Sequence, residues 1–135
     1  MLTPTTRRKS DVYSDFHKDM TQSPINFDLA RKVDEEAVKE SIRNLILTDR
    51  GERLFQPDIG SDIRKMLFEN MNSATVEVIK NLVRTTIRNY EPRANLIGVD
   101  VLTTIDSLQV DIIITFNIIN RIEPIVFTVT LDRVR

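Results

Sequence analysis

The hydrophobic period of this chain changes once, near Pro92, and this change restricts the folds that the chain can adopt. Before Pro92, apolar residues recur every three or four positions, which is typical of amphipathic helices. After it, apolar and polar residues alternate, which is typical of strands with one buried face. Helices followed by a run of strands predict an α+β fold, in which an N-terminal arm and helices pack on one face of a three-stranded antiparallel β meander.

Two longer helices are predicted before the change in period. The first begins at Asp34, a residue that can cap a helix, and ends before Gly51. The second begins at Asn72 or Ser73 and stops near Tyr90, because a proline at 92 disfavours helical geometry in the residue before it and has no N–H to donate. The apolar stripes of the two helices are Ala37, Val38, Ile42, Leu45 and Ile46, and Val76, Ile79, Leu82, Val83, Ile87 and Tyr90.

The segment between these helices, "GERLFQPDIGSD", is predicted to be a loop, because Pro57 and Gly60 interrupt it. We expect Leu54 and Phe55 to tuck beneath it. A short helix is predicted to follow, beginning at Ser61 or at the next residue and running through "IRKMLFEN".

Three strands are predicted after Pro92, within "LIGVDVLTTI", "SLQVDIIITFNII" and "IVFTVTL". A hairpin turn at residues 105–107 joins the first two, and Asn120 and Arg121 form the turn before the third. The third strand is predicted to be an edge strand, which natural proteins either protect or use for pairing. Two interpretations of it remain open: the N-terminal arm shields it, or it pairs with a strand from a partner.

Length and composition indicate one domain. The chain has 135 residues, and residues 1–33 are predicted to be an extended arm on a single domain of residues 34–135. A net charge of −1 does not favour binding to nucleic acid, and the basic run at residues 7–9 is interpreted as part of a solvated tail. No apolar run approaches the roughly 20 residues needed to span a bilayer, and the polar N-terminus does not resemble an export signal. We therefore predict cytosolic synthesis and no membrane partner.

The sequence offers little catalytic or cofactor chemistry. There is no cysteine, His17 is the one histidine, and the three glycines are too far apart for a phosphate-binding loop. No cofactor, metal ion or small-molecule substrate is therefore predicted. A pair of carboxylates could still serve a cell-wall glycoside hydrolase, which is kept as a minor alternative. The carboxylates considered for it are Glu35, Glu36, Asp58, Asp62, Glu69 and Glu91.

The order of several short blocks resembles one protein family. "RGERLFQPDIGSDI", then "LFENM", then a helix ending in "RNYEPR", then three strands, is similar to the small baseplate wedge protein of contractile phage tails. Relatives of that family occur in type VI secretion systems and phage-tail-like bacteriocins. The resemblance covers residues 34 to 132. It implies a non-enzymatic structural protein that initiates the tail sheath, although family members have been labelled lysozyme-like.

The resemblance also implies partners and contact residues. The triplet Glu91-Pro92-Arg93 is expected to project outward and to contact the helical core bundle of a larger wedge protein, so that Arg93→Ala would leave the isolated fold intact. The last strand is expected to pair with the first sheath subunits, and the tail tube or hub is a further partner to consider. The particle would be assembled in the bacterial cytoplasm, with this chain in its baseplate. A generic soluble protein-binding α+β module is the alternative. The residues of the strand contact are Ile125, Val126, Phe127, Thr128, Val129 and Thr130.

Overall fold

The computed structural model describes residues 14–16, 31–104, 108–119 and 121–133. The chain divides into two compact units, Met1–Ala37 and Val38–Arg135. Most of the predicted arm lies outside the described residues, including the basic run at 7–9 and His17, as do the predicted turn at 105–107 and Asn120. Within the arm, β1 (Ser14–Phe16) pairs antiparallel with β2 (Arg31–Val33), a pairing that the sequence did not predict.

The helices lie close to their predicted positions. They are α1 (Asp34–Leu47), α2 (Ile63–Met66) and α3 (Ser73–Tyr90). The Asn72 side chain caps α3 by accepting a hydrogen bond from the Thr75 N–H at 2.9 Å. The helix at α2 is shorter than predicted, because tight bonds between residues three apart, such as Glu69 N–H to Met66 O at 3.1 Å, replace the α-helical pattern after it.

The second unit contains the predicted three-stranded sheet. Its strands are β3 (Ala94–Thr103), β4 (Gln109–Ile118) and β5 (Ile125–Asp132). They are antiparallel in the order β3-β4-β5, so that β4 is central and β5 is an edge strand within the described residues. Helices packed with this meander confirm the α+β prediction.

The core lies on one face of the sheet. Every second residue of β4 is buried, and each fully buried aliphatic or aromatic side chain contributes roughly 1.5–3 kcal/mol relative to exposure. The helix α3 lies against β3 and buries Ile79, Val83 and Ile87. Phe116 of β4 meets Phe127 of β5 edge to face, with ring centroids 5.8 Å apart. The buried residues of β4 are Val110, Ile112, Ile114, Phe116 and Ile118.

The strand β3 contains a β-bulge at Ile97, which shifts its register against β4 by one residue. Leu96 lies opposite Phe116, but the next paired residue is Gly98, opposite Thr115. The extra residue lets Leu96 and Val99 face the same side of the sheet although they are three positions apart. Ile97 is consequently 59% exposed.

Candidate partner-docking sites

The corner between α3 and β3 is held by an ion pair within the motif itself. Arg93 Nε donates to Glu91 Oε1 at 2.6 Å, and Arg93 Nη2 donates to Glu91 Oε2 at 2.9 Å. Such a bidentate pair is among the strongest side-chain contacts in proteins and fixes the plane of the guanidinium. The side chain of Glu91 is only 2% exposed and that of Arg93 is 25% exposed, while Pro92 lies exposed between them.

The prediction that both charges of the corner project outward is wrong for Glu91. The chain turns at residues 92 and 93, where the Ala94 N–H donates to Glu91 O at 3.2 Å. This turn brings the Arg93 guanidinium back onto the carboxylate, which also accepts a hydrogen bond from the side chain of Ser41 in α1. Removing Arg93 would leave a buried charge without its counterion, so Arg93→Ala cannot be a neutral change to the isolated fold.

The ionisation of Glu91 follows from these contacts. Burial alone would raise the pKa of Glu91, but the hydrogen bonds from Arg93 and Ser41 and the charge of Arg93 outweigh it and lower the pKa below its ordinary value of 4.5. The carboxylate is therefore ionised at neutral pH. It can orient Arg93, but it cannot act as a proton donor.

The loop between α1 and α2 is fixed at its base by several hydrogen bonds. The Gly51 N–H donates to Pro57 O at 2.8 Å, and the Ser61 N–H donates to Thr48 O at 2.8 Å. The Tyr90 hydroxyl, at the end of α3, donates to Asp58 O at 2.7 Å. The loop and the corner are thus joined directly, since Tyr90 immediately precedes Glu91.

The tip of this loop presents apolar side chains to solvent. Leu54 is 93% exposed and Phe55 is 97% exposed, so the prediction that they tuck beneath the loop is wrong. The backbone bond from the Gly51 N–H to Pro57 O closes the loop around this exposed tip. The only sequence signal for this surface is an apolar pair inside an otherwise polar segment, and the same signal fits a buried pair equally well.

The strand β5 carries the second predicted contact. In the described residues it pairs with β4 alone, in a register that sets Thr128 opposite Ile113. Its inward residues are Ile125, Phe127, Val129 and Leu131, and its outward residues Val126, Thr128 and Thr130 are exposed. The alternation predicted for this strand is therefore confirmed. Within the described ranges no strand lies on the outer side of β5, and the backbone N–H and C=O groups of such an edge can pair with another strand.

An open cavity of about 580 Å³ lies beside the C-terminal end of β5. Its walls are apolar at Leu47, Leu67 and Leu131, and Arg64 and Asp132 stand among its charged lining residues.

Two of the acids considered for hydrolysis, Asp62 and Glu91, are partners in ion pairs. A retaining or inverting glycosidase needs one carboxyl with a raised pKa. The pKa of Asp62 is instead lowered from 3.8, chiefly by the hydrogen bond from Lys65 at 2.8 Å, and the pKa of Glu91 is lowered too. Both shifts oppose proton donation at neutral pH.

No group of three or more His, Asp or Glu side chains among the described residues could hold a metal ion. No helix in the same part of the chain is both long and apolar enough to cross a membrane.

Comparison with known proteins gives a consistent assignment. The family model described as baseplate wedge protein gp25 matches residues 32–122, which include the loop and the corner. The baseplate wedge protein gp25 of Enterobacteria phage T4 is 32% identical over 114 residues, which is 84% of this chain and 86% of that protein.

Solved structures share the fold. A Geobacter sulfurreducens protein crystallised as a candidate tail lysozyme superposes with a TM-score of 0.70 and 27% identity. The matched region covers 75% of this chain and 92% of that protein's chain. A chain of the anti-feeding prophage baseplate superposes with a TM-score of 0.64 and 20% identity. The matched region covers 91% of this chain and 87% of the baseplate chain. A chain of the type VI secretion baseplate complex superposes with a TM-score of 0.61 and 15% identity. The matched region covers 74% of this chain and 93% of the chain from that complex.

Proposed function

This chain belongs to the baseplate wedge protein gp25 family and is a structural component of a contractile-tail baseplate, and from that premise we propose that it docks on a larger wedge protein and initiates the sheath. The corner at Glu91-Pro92-Arg93 makes the first contact and the edge of β5 makes the second. The observation that carries the proposal is the bidentate Glu91–Arg93 pair, which fixes an arginine at a rigid turn.

Glu91 and Arg93 have different parts in the docking contact. The Glu91 carboxylate is buried and acts by positioning Arg93, whereas the side chain of Arg93 is a quarter exposed. Because Glu91 and the turn at Pro92 already hold the guanidinium, little side-chain entropy is lost when a partner binds. An arginine in a fixed plane suits carboxylates or the carbonyl groups at the C-terminal ends of partner helices.

The first test replaces Arg93 by lysine. Arg93→Lys keeps a positive charge near Glu91 but loses the planar pair of N–H donors. We expect the isolated chain to stay folded and its affinity for the larger wedge protein of the same particle to fall roughly 30-fold, the size of a hot-spot loss. Calorimetric titration measures this, with Arg84→Lys on the exposed face of α3 as the matched control. If Arg93→Lys binds the wedge protein with unchanged affinity, the corner is not part of the interface.

Support for the sheath contact comes from the shape of β5. Its outward residues Val126, Thr128 and Thr130 are exposed, while Phe127 anchors the strand to β4 through Phe116. An added strand would take its affinity from backbone hydrogen bonds and its register from alternate side chains.

The second test places proline in this strand. Val126→Pro or Thr128→Pro removes a backbone donor and is expected to block sheath polymerisation while baseplates still form. Electron microscopy of particles from complemented cells scores both structures, and circular dichroism of the purified chain shows whether the sheet persists. Thr128→Val, which changes the side chain and keeps the backbone, should give normal sheaths. Sheaths of normal length on the proline variants would rule out strand pairing at β5.

The proposed role requires no catalysis. Its two contacts use a fixed cation and a strand edge, and the lowered pKa values of Asp62 and Glu91 suit ion pairs rather than proton transfer. We propose that the chain is not an enzyme, in keeping with its T4 relative, which is described as a baseplate wedge protein. The tail tube or hub remains a further partner to test, and assembly in the bacterial cytoplasm is part of the same proposal.

A further inference from the structure

The tip of the loop between α1 and α2 exposes its two large apolar side chains almost completely. Leu54 is 93% and Phe55 is 97% exposed, which is nearly the accessibility of an isolated residue. An open recess of about 530 Å³ runs along the same segment and is lined by residues 52–56. Single apolar residues are common on protein surfaces, but an adjacent leucine and phenylalanine at a projecting tip form an apolar knob.

This knob stands on a well-anchored base. A backbone bond from the Gly51 N–H to Pro57 O spans the tip, and a second bond, from the Ile59 N–H to Gln56 O, forms a turn directly after it. The side chain of Glu52 accepts a hydrogen bond from the Asp49 N–H at 3.0 Å and holds the entry to the loop. A partner would therefore bind a largely preformed surface, and less conformational entropy would be lost on association than with a flexible loop.

The charges around the knob favour a protein as its partner. Between Arg50 and Asp58 the chain carries two basic residues, Arg50 and Arg53, and two acidic ones, Glu52 and Asp58. A balanced set of charges along the loop gives no attraction to an anionic membrane or to nucleic acid. An apolar centre inside a polar rim of mixed charge is instead the usual composition of a protein interface.

The position of the knob connects it to the proposed wedge contact. The Tyr90 hydroxyl donates a hydrogen bond to the backbone carbonyl of Asp58 in the loop at 2.7 Å. Tyr90 is followed directly by the corner. A standard interface covers about 800 Å² on each partner, which is wide enough to include both the loop and the corner.

We propose that Leu54 and Phe55 are the apolar anchor of the contact with the larger wedge protein, and that they insert into an apolar groove of that partner beside the Arg93 contact. This inference rests on the proposed function and adds to it the residues that supply most of the binding energy. Arg93 sets the orientation of the complex, and the knob provides buried apolar area.

The test is the double variant Leu54→Ser, Phe55→Ser in the full-length chain, titrated against the larger wedge protein of the same particle. Both side chains are already exposed, so the melting temperature is expected to stay within about 2 °C of the original. The affinity is expected to fall roughly 30-fold or more, because the contact would lose the apolar area that these two exposed side chains bury on binding. Leu102→Ser, at the far end of β3 from the corner and 56% exposed, is the matched control and should bind normally.

The outcomes separate this inference from the proposed function. If the original chain binds the wedge protein and the double variant binds equally well, the inference fails and the docking role stands. If the original chain does not bind at all, the docking role fails and the inference fails with it. A photo-crosslinking phenylalanine analogue in place of Phe55 gives a second measurement in assembled baseplates, and its crosslink should fall on the wedge protein. A crosslink to a second copy of this chain or to sheath would overturn the inference. So would co-sedimentation of the purified chain with phosphatidylglycerol vesicles that is lost when Phe55 is replaced.

Discussion

Replacing Glu91 by alanine is expected to lower the free energy of unfolding by roughly 3 kcal/mol, because the change removes one partner of a buried ion pair. Arg93 would lose both of its hydrogen bonds to the carboxylate, at 2.6 and 2.9 Å, and Ser41 would lose its acceptor. The side chain of Arg93 is 25% exposed and can partly regain water, which places the expected loss at the lower end of the range for buried pairs. Chemical denaturation of the purified chain measures it.

The chain contains a matched control for this change. Glu123 also precedes a proline, but it is exposed in the segment before β5. Glu123→Ala is expected to change the free energy of unfolding by no more than about 0.5 kcal/mol. Equal losses of unfolding free energy in the two variants would show that the buried ion pair adds no measurable stability, and that the effect comes only from the position before a proline.

The same pair predicts a pH dependence. Since the pKa of Glu91 in the folded protein lies below its ordinary value of 4.5, its contribution is fully present above pH 4.5 and is lost as the pH falls through the lowered folded value. The difference in unfolding free energy between the original chain and Glu91→Ala should therefore be constant near neutral pH and should shrink in acid. A difference that grows in acid would mean that the folded pKa is raised.

Much of the fold follows from periodicity and from proline. The end of α3 near Tyr90 was predictable because Pro92 cannot continue a helix, and the alternation in β4 identified its buried face because side chains in a strand alternate between faces. These features depend on neighbours in sequence. The edge position of β5 followed in the same way from three successive strands joined by short turns.

The features that were not predicted depend on contacts and backbone geometry that no local pattern of residue types indicates. The burial of Glu91 requires Ser41 of α1 to lie beside it, and no local pattern indicates that pairing. Leu54 and Phe55 look like core residues by type, and only the folded structure of the loop shows that both are exposed. The bulge at Ile97 shifts the alternation by one residue, which a strict period of two does not anticipate.

The second large effect is expected at Gly60, where alanine should destabilise the fold by roughly 3 kcal/mol. Gly60 has φ +138, a conformation that residues with a Cβ rarely adopt, and an added Cβ would stand 2.6 Å from Thr48 O. That carbonyl accepts the hydrogen bond from the Ser61 N–H at 2.8 Å, so it cannot move away without breaking a bond at the base of the loop. Thermal and chemical unfolding of Gly60→Ala measure the loss.

Gly51→Ala separates the two causes, because Gly51 has φ +87 but no atom within 4 Å of the added Cβ. Its expected cost is the conformational strain alone, about 1–2 kcal/mol. The excess loss in Gly60→Ala then measures the clash with Thr48 together with the greater backbone strain at φ +138, and losses of equal size would show that the loop base yields without cost. If the base also holds the Leu54–Phe55 tip in its binding conformation, Gly60→Ala should weaken binding to the wedge protein at a temperature where both variants are still folded, whereas Gly51→Ala should weaken it less.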